Sequence, residues 1–260
     1  MTFSSSCFAP NTFALGANDV HVWRTTLDQP REQIESFWLM LADDEQARAK
    51  RFYFQRDRDH FIVGRGILRT ILGFYLKCEP SCISFSYGSH GKPILESTAN
   101  GDTIRFNVSH SNGMALYAFT RSREIGVDIE FIRSDLDVEQ IAHRFFSPRE
   151  IDALCKLPTH LRTSAFFVCW TRKEAYIKSR GEGLSLPLNQ FDVSLTPGEP
   201  AALLSTRPDA EEAHRWSLIE LNPAPGYVAA LAVEGKQCEL SYRQWPAEVT
   251  PNGERSSHLS

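Results

Sequence analysis

The sequence predicts an α+β protein made of two similar α/β halves related by a pseudo-twofold, on three observations. Apolar residues alternate singly through DVHVWRTTL, IRFNVSHSNGMALYAFT and GYVAALAVE, the period-two mark of half-buried strands. They recur at helical spacing through PREQIESFWLMLADDEQARAKRFYF, RDRDHFIVGRGILRTILGFYL and RTSAFFVCWTRKEAYIKSRGEGL. The two halves also echo each other: NGMALYAFT and PGYVAALAV are each a turn followed by an alternating strand, and FIVGRGILR and FFVCWTRKEA fall in comparable places before them.

In chain order, residues 1–18 are rich in Ser, Asn, Gly and Pro and read as a loose terminus. A strand at DVHVWRTTL opens a first half spanning 19–122, followed by one helix over residues 30–54 and a second over 56–76. Short strands follow at ISFSYGSHGKPIL and IRFNVSHSNGMALYAFT. A second half, 123–246, opens with IGVDIEFIR and turns helical through VEQIAHRFFSPREIDALCKL and the segment around WTRKEAYIK. It finishes in strands at FDVSL, RWSLIEL and GYVAALAVE, before a loose tail over 247–260. Phe145 and Phe146 are expected in the core. A cleft between two such halves is the natural place for a ligand.

Composition narrows the class. A hydrophobic fraction of 42% with 17 Phe and 5 Trp supports a substantial core in a 260-residue chain. A formal charge of −4 gives no reason to expect a nucleic-acid partner. No apolar run reaches the length of a membrane span, and the first residues lack the charged start of a signal peptide. The six cysteines are scattered without zinc spacing, which suits reduced thiols and a cytoplasmic location. No glycine-rich phosphate loop and no nucleophile elbow is present.

The chemistry gathers in two stretches. In IGVDIEFIRS, Asp128 and Glu130 are two apart in an apolar strand, so both carboxylates share a face about 6 to 7 Å apart at their backbones. Like charges held so closely call for a cation or a basic partner. In CWTRKEAYIKSRGEGLSLPL, Trp170, Glu174 and Lys178 follow at i, i+4 and i+8 on one helix face. Glu174 and Lys178 are then either an ordinary exposed ion pair or, beside Asp128 and Glu130, part of a hard-cation site. Magnesium suits such a set better than calcium, because the spacing is unlike an EF-hand loop. Ser109 and His110 in FNVSHSNG either contact a ligand or close a turn, and Lys92 sits on the tight turn HGKP. Between Arg48 and Arg69, seven Lys and Arg stand against two Asp, a local excess that favours an anionic ligand.

Together, GKP, FNVSHS, GVDIE, RFFSPRE and WTRKEAYIKSRGEGLSLPL resemble the 4′-phosphopantetheinyl transferases of the large pseudo-dimeric type, most like the cyanobacterial members. The resemblance spans roughly residues 20 to 235 and carries both signature elements, Gly126 to Glu130 and Trp170 to Lys178. It implies transfer of the phosphopantetheinyl arm of coenzyme A to a serine of an acyl or peptidyl carrier protein, leaving 3′,5′-ADP. It implies Mg²⁺, with Mn²⁺ as a substitute, on Asp128, Glu130 and Glu174. Glu174 is then the base, directly or through metal-bound water, and Lys178 the contact to the transferred phosphate. Arg48, Lys92, Ser109 and His110 match coenzyme A contacts. His60 and Phe61 stand where some relatives have Arg and Thr, with Arg58 or Arg65 as compensating cations. Glu150 falls at an acidic position whose role the resemblance leaves open. A monomer with pseudo-dimeric halves is expected, with neither nucleic acid nor membrane as partner. Two other classes fit the acidic trio: a Mg²⁺-dependent nucleotide phosphohydrolase, and a carrier-protein-binding module without activity.

Overall fold

The computed structural model describes residues 13–88, 91–95, 103–181, 186–207 and 209–246. The remainder of both expected loose termini, Ser89 and His90 of the HGKP turn, and Glu182 to Ser185 lie outside the described residues.

The first half runs β1 (Asp19–Thr26), α1 (Arg31–Trp38), α2 (Asp43–Ala49), α3 (Gln55–Leu76), β2 (Phe85–Tyr87), β3 (Pro93–Leu95), β4 (Ile104–Ser111) and β5 (Met114–Arg121). The second repeats that order: β6 (Ile125–Phe131), α4 (Val138–Phe145), α5 (Pro148–Lys156), α6 (Thr159–Arg180), β7 (Phe191–Val193), β8 (Leu203–Thr206), then, after the short α7 (Glu212–Arg215), β9 (Trp216–Leu221) and β10 (Tyr227–Glu234). A last strand, β11 (Glu239–Gln244), follows. Both long helices have 22 residues. The sheets share one plan, with β1-β5-β4 in the first half and β6-β10-β9 in the second, all antiparallel.

The halves stack as helix, sheet, sheet, helix. Alternation on each strand makes this possible, because successive side chains serve opposite faces. Trp23, Tyr117 and Phe119 join Ile67, Ile71 and Leu72 of α3 in one core, while Ala230 and Ala232 join Ala175, Tyr176 and Ile177 of α6 in another. Between the sheets, Val20, Val22, Leu116 and Ala118 meet Val127, Ile129, Leu231 and Val233 in a third, fully buried layer. Phe146 is buried and Phe145 packs partly buried against the second-half core.

Three features depart from the sequence reading. The helix expected over 30–54 is broken into α1 and α2, because Leu41 turns into the core and Asp43, Asp44 and Glu45 start a new helix with acidic groups at its N-terminus. The helical stretch from Val138 is likewise broken at Ser147, which caps α5 in a reciprocal box with Glu150, ahead of Pro148. Finally, β11 crosses back to pair in parallel with β1 of the first half, and its Trp245 neighbour is buried in the first core.

Candidate active site

The site is built where β4 meets β6. Strand β6 is the edge of its sheet, so its outward N–H groups need partners. The alternating polar residues Asn107, Ser109 and Ser111 of β4 supply them. The Val127 N–H donates to Asn107 Oδ1 at 2.9 Å, and the Phe131 N–H to Ser111 Oγ at 3.1 Å. The same stripe reaches both carboxylates: Ser109 Oγ donates to Asp128 Oδ1 at 2.8 Å, and Ser111 Oγ to Glu130 Oε2 at 2.9 Å.

Helix α6 covers this face because Gly126 lets it. A Cβ there would lie 2.1 Å from the Ala175 carbonyl oxygen and 2.4 Å from the Ser179 nitrogen. The helix backbone therefore rests directly on the strand, and its last turns carry Glu174 and Lys178 over Asp128. Gly181, with φ +69°, ends the helix in the left-handed conformation that favours glycine. Lys178 Nζ donates to Asp128 Oδ1 at 2.6 Å and to Ser109 Oγ at 2.9 Å. Asp128 is buried and its Oδ2 has no hydrogen-bond partner.

The electrostatics are those of crowded acids. Burial, then the charge of Asp128, raises the Glu174 carboxyl above its ordinary range, against the pull of Lys178. Burial and Asp128 likewise raise Glu130, against its bond from Ser111. One ammonium thus stands among three carboxylates. Among the described residues no three His, Cys, Asp or Glu side chains converge closely enough to hold a metal ion. The donor chemistry nevertheless fits a hard cation: three carboxylates that feel one another's charge, and one buried oxygen left unpaired.

Two adjoining cavities lead from this cluster. One, of about 290 Å³, is lined by Glu174, Ile177 and Lys178 from the second half and by Lys92, Phe106 and Asn107 from the first. The other, of about 490 Å³, is lined by Arg48, Arg56, His60, Phe61, Arg65 and His110. They share Gly91, Pro93 and Val108 as a common wall. Arg65 is buried, 3.3 Å from Glu45, with its Nη1 unpartnered at the wall of the larger cavity. Arg48 lies over the Phe61 ring.

The sequence-selected residues therefore divide. Asp128, Glu130, Glu174, Lys178 and Ser109 form the acidic cluster, while Arg48, Arg65 and His110 face the basic cavity. Lys92 borders the smaller cavity, but its Nζ donates to the carbonyls of Lys178 at 2.8 Å and Ile125 at 3.4 Å. Arg58 turns elsewhere, over the Trp38 ring. Glu150 is structural: buried, it accepts from Ser147 and Val193 N–H groups and pairs with fully buried Lys173 at 2.8 Å. Ser111 was not singled out in the sequence, although its period-two spacing from Asn107 and Ser109 was the available signal. The role of Gly126 needed the packing of α6 to become visible.

Carboxylates and an ammonium stand at one end of the cleft and guanidinium groups at the other, a distribution of charge that suits a phosphorylated ligand. A family model described as the 4′-phosphopantetheinyl transferase superfamily matches residues 124–232, and one described as 4′-phosphopantetheinyl transferase, N-terminal, matches 22–121. The chain is 45% identical over 226 residues to the 4′-phosphopantetheinyl transferase HetI of Nostoc sp., covering 87% of this chain and 92% of that protein. It is 34% identical to slr0495 of Synechocystis sp., over 76% of this chain and 77% of the relative. It is 33% identical to the 4′-phosphopantetheinyl transferase Sfp of Bacillus subtilis, over 65% of this chain and 74% of that one. The chain belongs to the 4′-phosphopantetheinyl transferase superfamily and is an enzyme of that class.

Proposed function

We propose that this enzyme moves the 4′-phosphopantetheinyl arm of coenzyme A onto a serine hydroxyl of apo acyl or peptidyl carrier proteins, releasing adenosine 3′,5′-bisphosphate. The observation that carries this reading is the placement of Glu174 and Lys178 on the wall of a cleft whose far end is lined by arginines.

The basic cavity binds the nucleotide phosphates, with Arg48, Arg65 and His110 as its cationic and donor groups. At the other end, Glu174 takes the proton from the carrier serine as the serine oxygen attacks phosphorus. A carboxylate whose pKa is raised by burial and by Asp128 is a stronger base than an exposed one. Lys178, oriented by Asp128 and Ser109, donates to the phosphoryl oxygens as charge develops on the leaving nucleotide. Asp128, Glu130 and Glu174 would hold a Mg²⁺ ion, with Mn²⁺ as a substitute, which supplies positive charge to the phosphoanhydride. The halves 19–122 and 123–246, acting within one monomer, build the cleft between them. No helix of the described residues is long and apolar enough to cross a membrane. The carrier proteins of this reading are met in the cytoplasm.

The test is direct. Purified protein, apo carrier protein, coenzyme A and Mg²⁺ are mixed, and the carrier is weighed by mass spectrometry. The expected result is a gain of one phosphopantetheinyl group that EDTA abolishes. No gain across fatty-acid, polyketide and peptide carriers would overturn the reading, and free 3′,5′-ADP in that tube would point to hydrolysis.

A further inference from the structure

Lys92 sends its charge away from the arginine-lined cavity. Its neighbours Gly91 and Pro93 border that cavity, whereas Lys92 itself lines the smaller one beside Glu174 and Lys178. A closed turn between β2 and β3 presents it there. The Gly88 N–H donates to the Lys92 carbonyl at 3.0 Å and the Gly91 N–H to the Gly88 carbonyl at 2.8 Å, with Gly91 in the left-handed region at φ +73°. Pro93 disfavours a helical backbone at the residue before it. The side chain crosses to the second half, where Nζ donates to the Lys178 carbonyl at 2.8 Å and to the Ile125 carbonyl at 3.4 Å.

Both acceptors bear on the acidic cluster. Lys178 lies in the last turn of α6, where carbonyls have no partner within the helix and the helix dipole presents its negative end. Ile125 opens β6, the strand that carries Asp128. One ammonium of the first half therefore ties the end of the helix that bears Lys178 to the start of the strand that bears Asp128. Lys178 is gripped twice from that half: its Nζ lies 2.9 Å from Ser109 Oγ of β4, and its carbonyl is held by Lys92. Burial lowers the pKa of the Lys92 ammonium, against the pull of Glu124, whose carboxylate pairs with Arg105 at 3.5 Å. The charge of Lys92 is met by backbone carbonyls instead.

We propose that Lys92 is a positioning residue for phosphopantetheinyl transfer: by capping the end of α6 from the other half, it holds Lys178 where Nζ meets Asp128 and the phosphoryl oxygens, and it does not touch the nucleotide. The proposal rests on the coenzyme A reading above. It departs from the sequence resemblance, which counts Lys92 among the coenzyme A contacts. A displacement of about 1 Å in a catalytic group can cost on the order of 100-fold in rate, so a distant anchor on Lys178 acts on turnover.

The experiment measures kcat and KM of the full-length protein with apo carrier protein, coenzyme A and Mg²⁺, and titrates it calorimetrically with adenosine 3′,5′-bisphosphate. Lys92→Met keeps the aliphatic stem and removes the ammonium. Its kcat should fall about 10- to 100-fold, with KM for coenzyme A and Kd for the bisphosphate within about twofold of the wild type. Lys92→Arg keeps a charged donor for the two carbonyls and should recover most of the loss. Made on Lys178→Met, the same Lys92→Met change should cost no more than about twofold, because the group it positions is gone. Thermal unfolding identifies any variant that fails to fold, and Lys92→Gln then replaces Lys92→Met in the comparison. A raised KM and weakened bisphosphate binding at unchanged kcat would make Lys92 a nucleotide contact and overturn the positioning role, with the coenzyme A reading intact. Wild-type kinetics in Lys92→Met, or an undiminished loss on Lys178→Met, would overturn it equally. Absence of both transfer and bisphosphate binding in the wild type would instead overturn that reading, and the positioning role with it.

Discussion

Lys178 Nζ stands 2.6 Å from Asp128 Oδ1, and this contact joins the last turn of α6 to the strand that carries the acids. It neutralises one carboxylate of three and leaves Asp128 Oδ2 buried without a partner. Most consequences for catalysis follow from that imbalance.

Asp128→Asn keeps the shape of the side chain and removes its charge. We predict a loss of transfer of at least about 100-fold with the fold retained, because a charge aimed at the reacting phosphates is lost. Glu174 should also titrate closer to its ordinary value, since the charge of Asp128 is one cause of its raised pKa. Mass-shift kinetics on a carrier protein and a melting curve read both effects. Wild-type turnover in this variant would remove Asp128 from the chemistry.

Gly126→Ala tests the seating of α6. Its added methyl would overlap helix backbone rather than a yielding side chain, so helix and strand must separate. A stability loss of about 3 kcal/mol is expected, with transfer reduced further than stability alone explains. Gly181→Ala is the contrast: nothing lies within 4 Å of its Cβ, and only the positive φ resists. Its cost should be about 1 kcal/mol. Equal melting temperatures for the two variants would contradict the close-approach argument.

The Lys173–Glu150 pair is buried on both sides, and Lys173 also donates to the carbonyls of Leu188 and Phe191 at 2.7 Å each. Lys173→Met strands the Glu150 charge and should cost about 3 to 5 kcal/mol. Adding Glu150→Gln to that variant should recover part of the loss, since the amide oxygen still accepts from the backbone. Differential scanning calorimetry decides the point; a double variant no better than Lys173→Met would refute the charge argument.

His21 gives the protein an acid weakness. Burial, then the nearby Arg243, lowers its pKa from 6.5 to about 4, while its Nδ1 bonds to Tyr75 Oη at 2.7 Å. The unfolded chain binds a proton at this ring near pH 6.5 and the folded chain only near pH 4, so stability is lost as pH falls between those values. The ceiling on that loss is about 3 kcal/mol. Urea unfolding at pH 7.5 and pH 5 should show the decline in the wild type and a shallower one in His21→Asn. Parallel declines would assign the effect to other groups.

How much of this was legible in the sequence depends on how far apart the partners lie. Asp128 with Glu130, and Glu174 with Lys178, are neighbours by strand and helix period, so their grouping can be read from spacing alone. The repeated plan of strand, helices and hairpin also follows from local pattern. The Asp28–His60 contact spans 32 residues and joins elements whose approach only tertiary packing sets. Glu150 looks like a site residue in FFSPRE until its partner Lys173 is seen to be buried. Likewise β11 is a short strand with a mixed pattern of exposure, and its parallel partner lies at the other end of the chain.

That returning strand bears on how the molecule can be divided. The Trp245 N–H donates to the Arg24 carbonyl at 2.8 Å, and Thr25 Oγ1 to the Trp245 carbonyl at 3.0 Å, so the chain is fastened to its own first strand. Severing it at the turn between Arg121 and Ile125 would not yield two autonomous modules. The leading fragment would lack an outer strand and the indole that fills its core, and the trailing fragment would carry a strand with no sheet to join. The pattern is that of a duplication, yet the two copies are buckled together by one continuous belt, and only as a pair can they be excised, transplanted or reassembled.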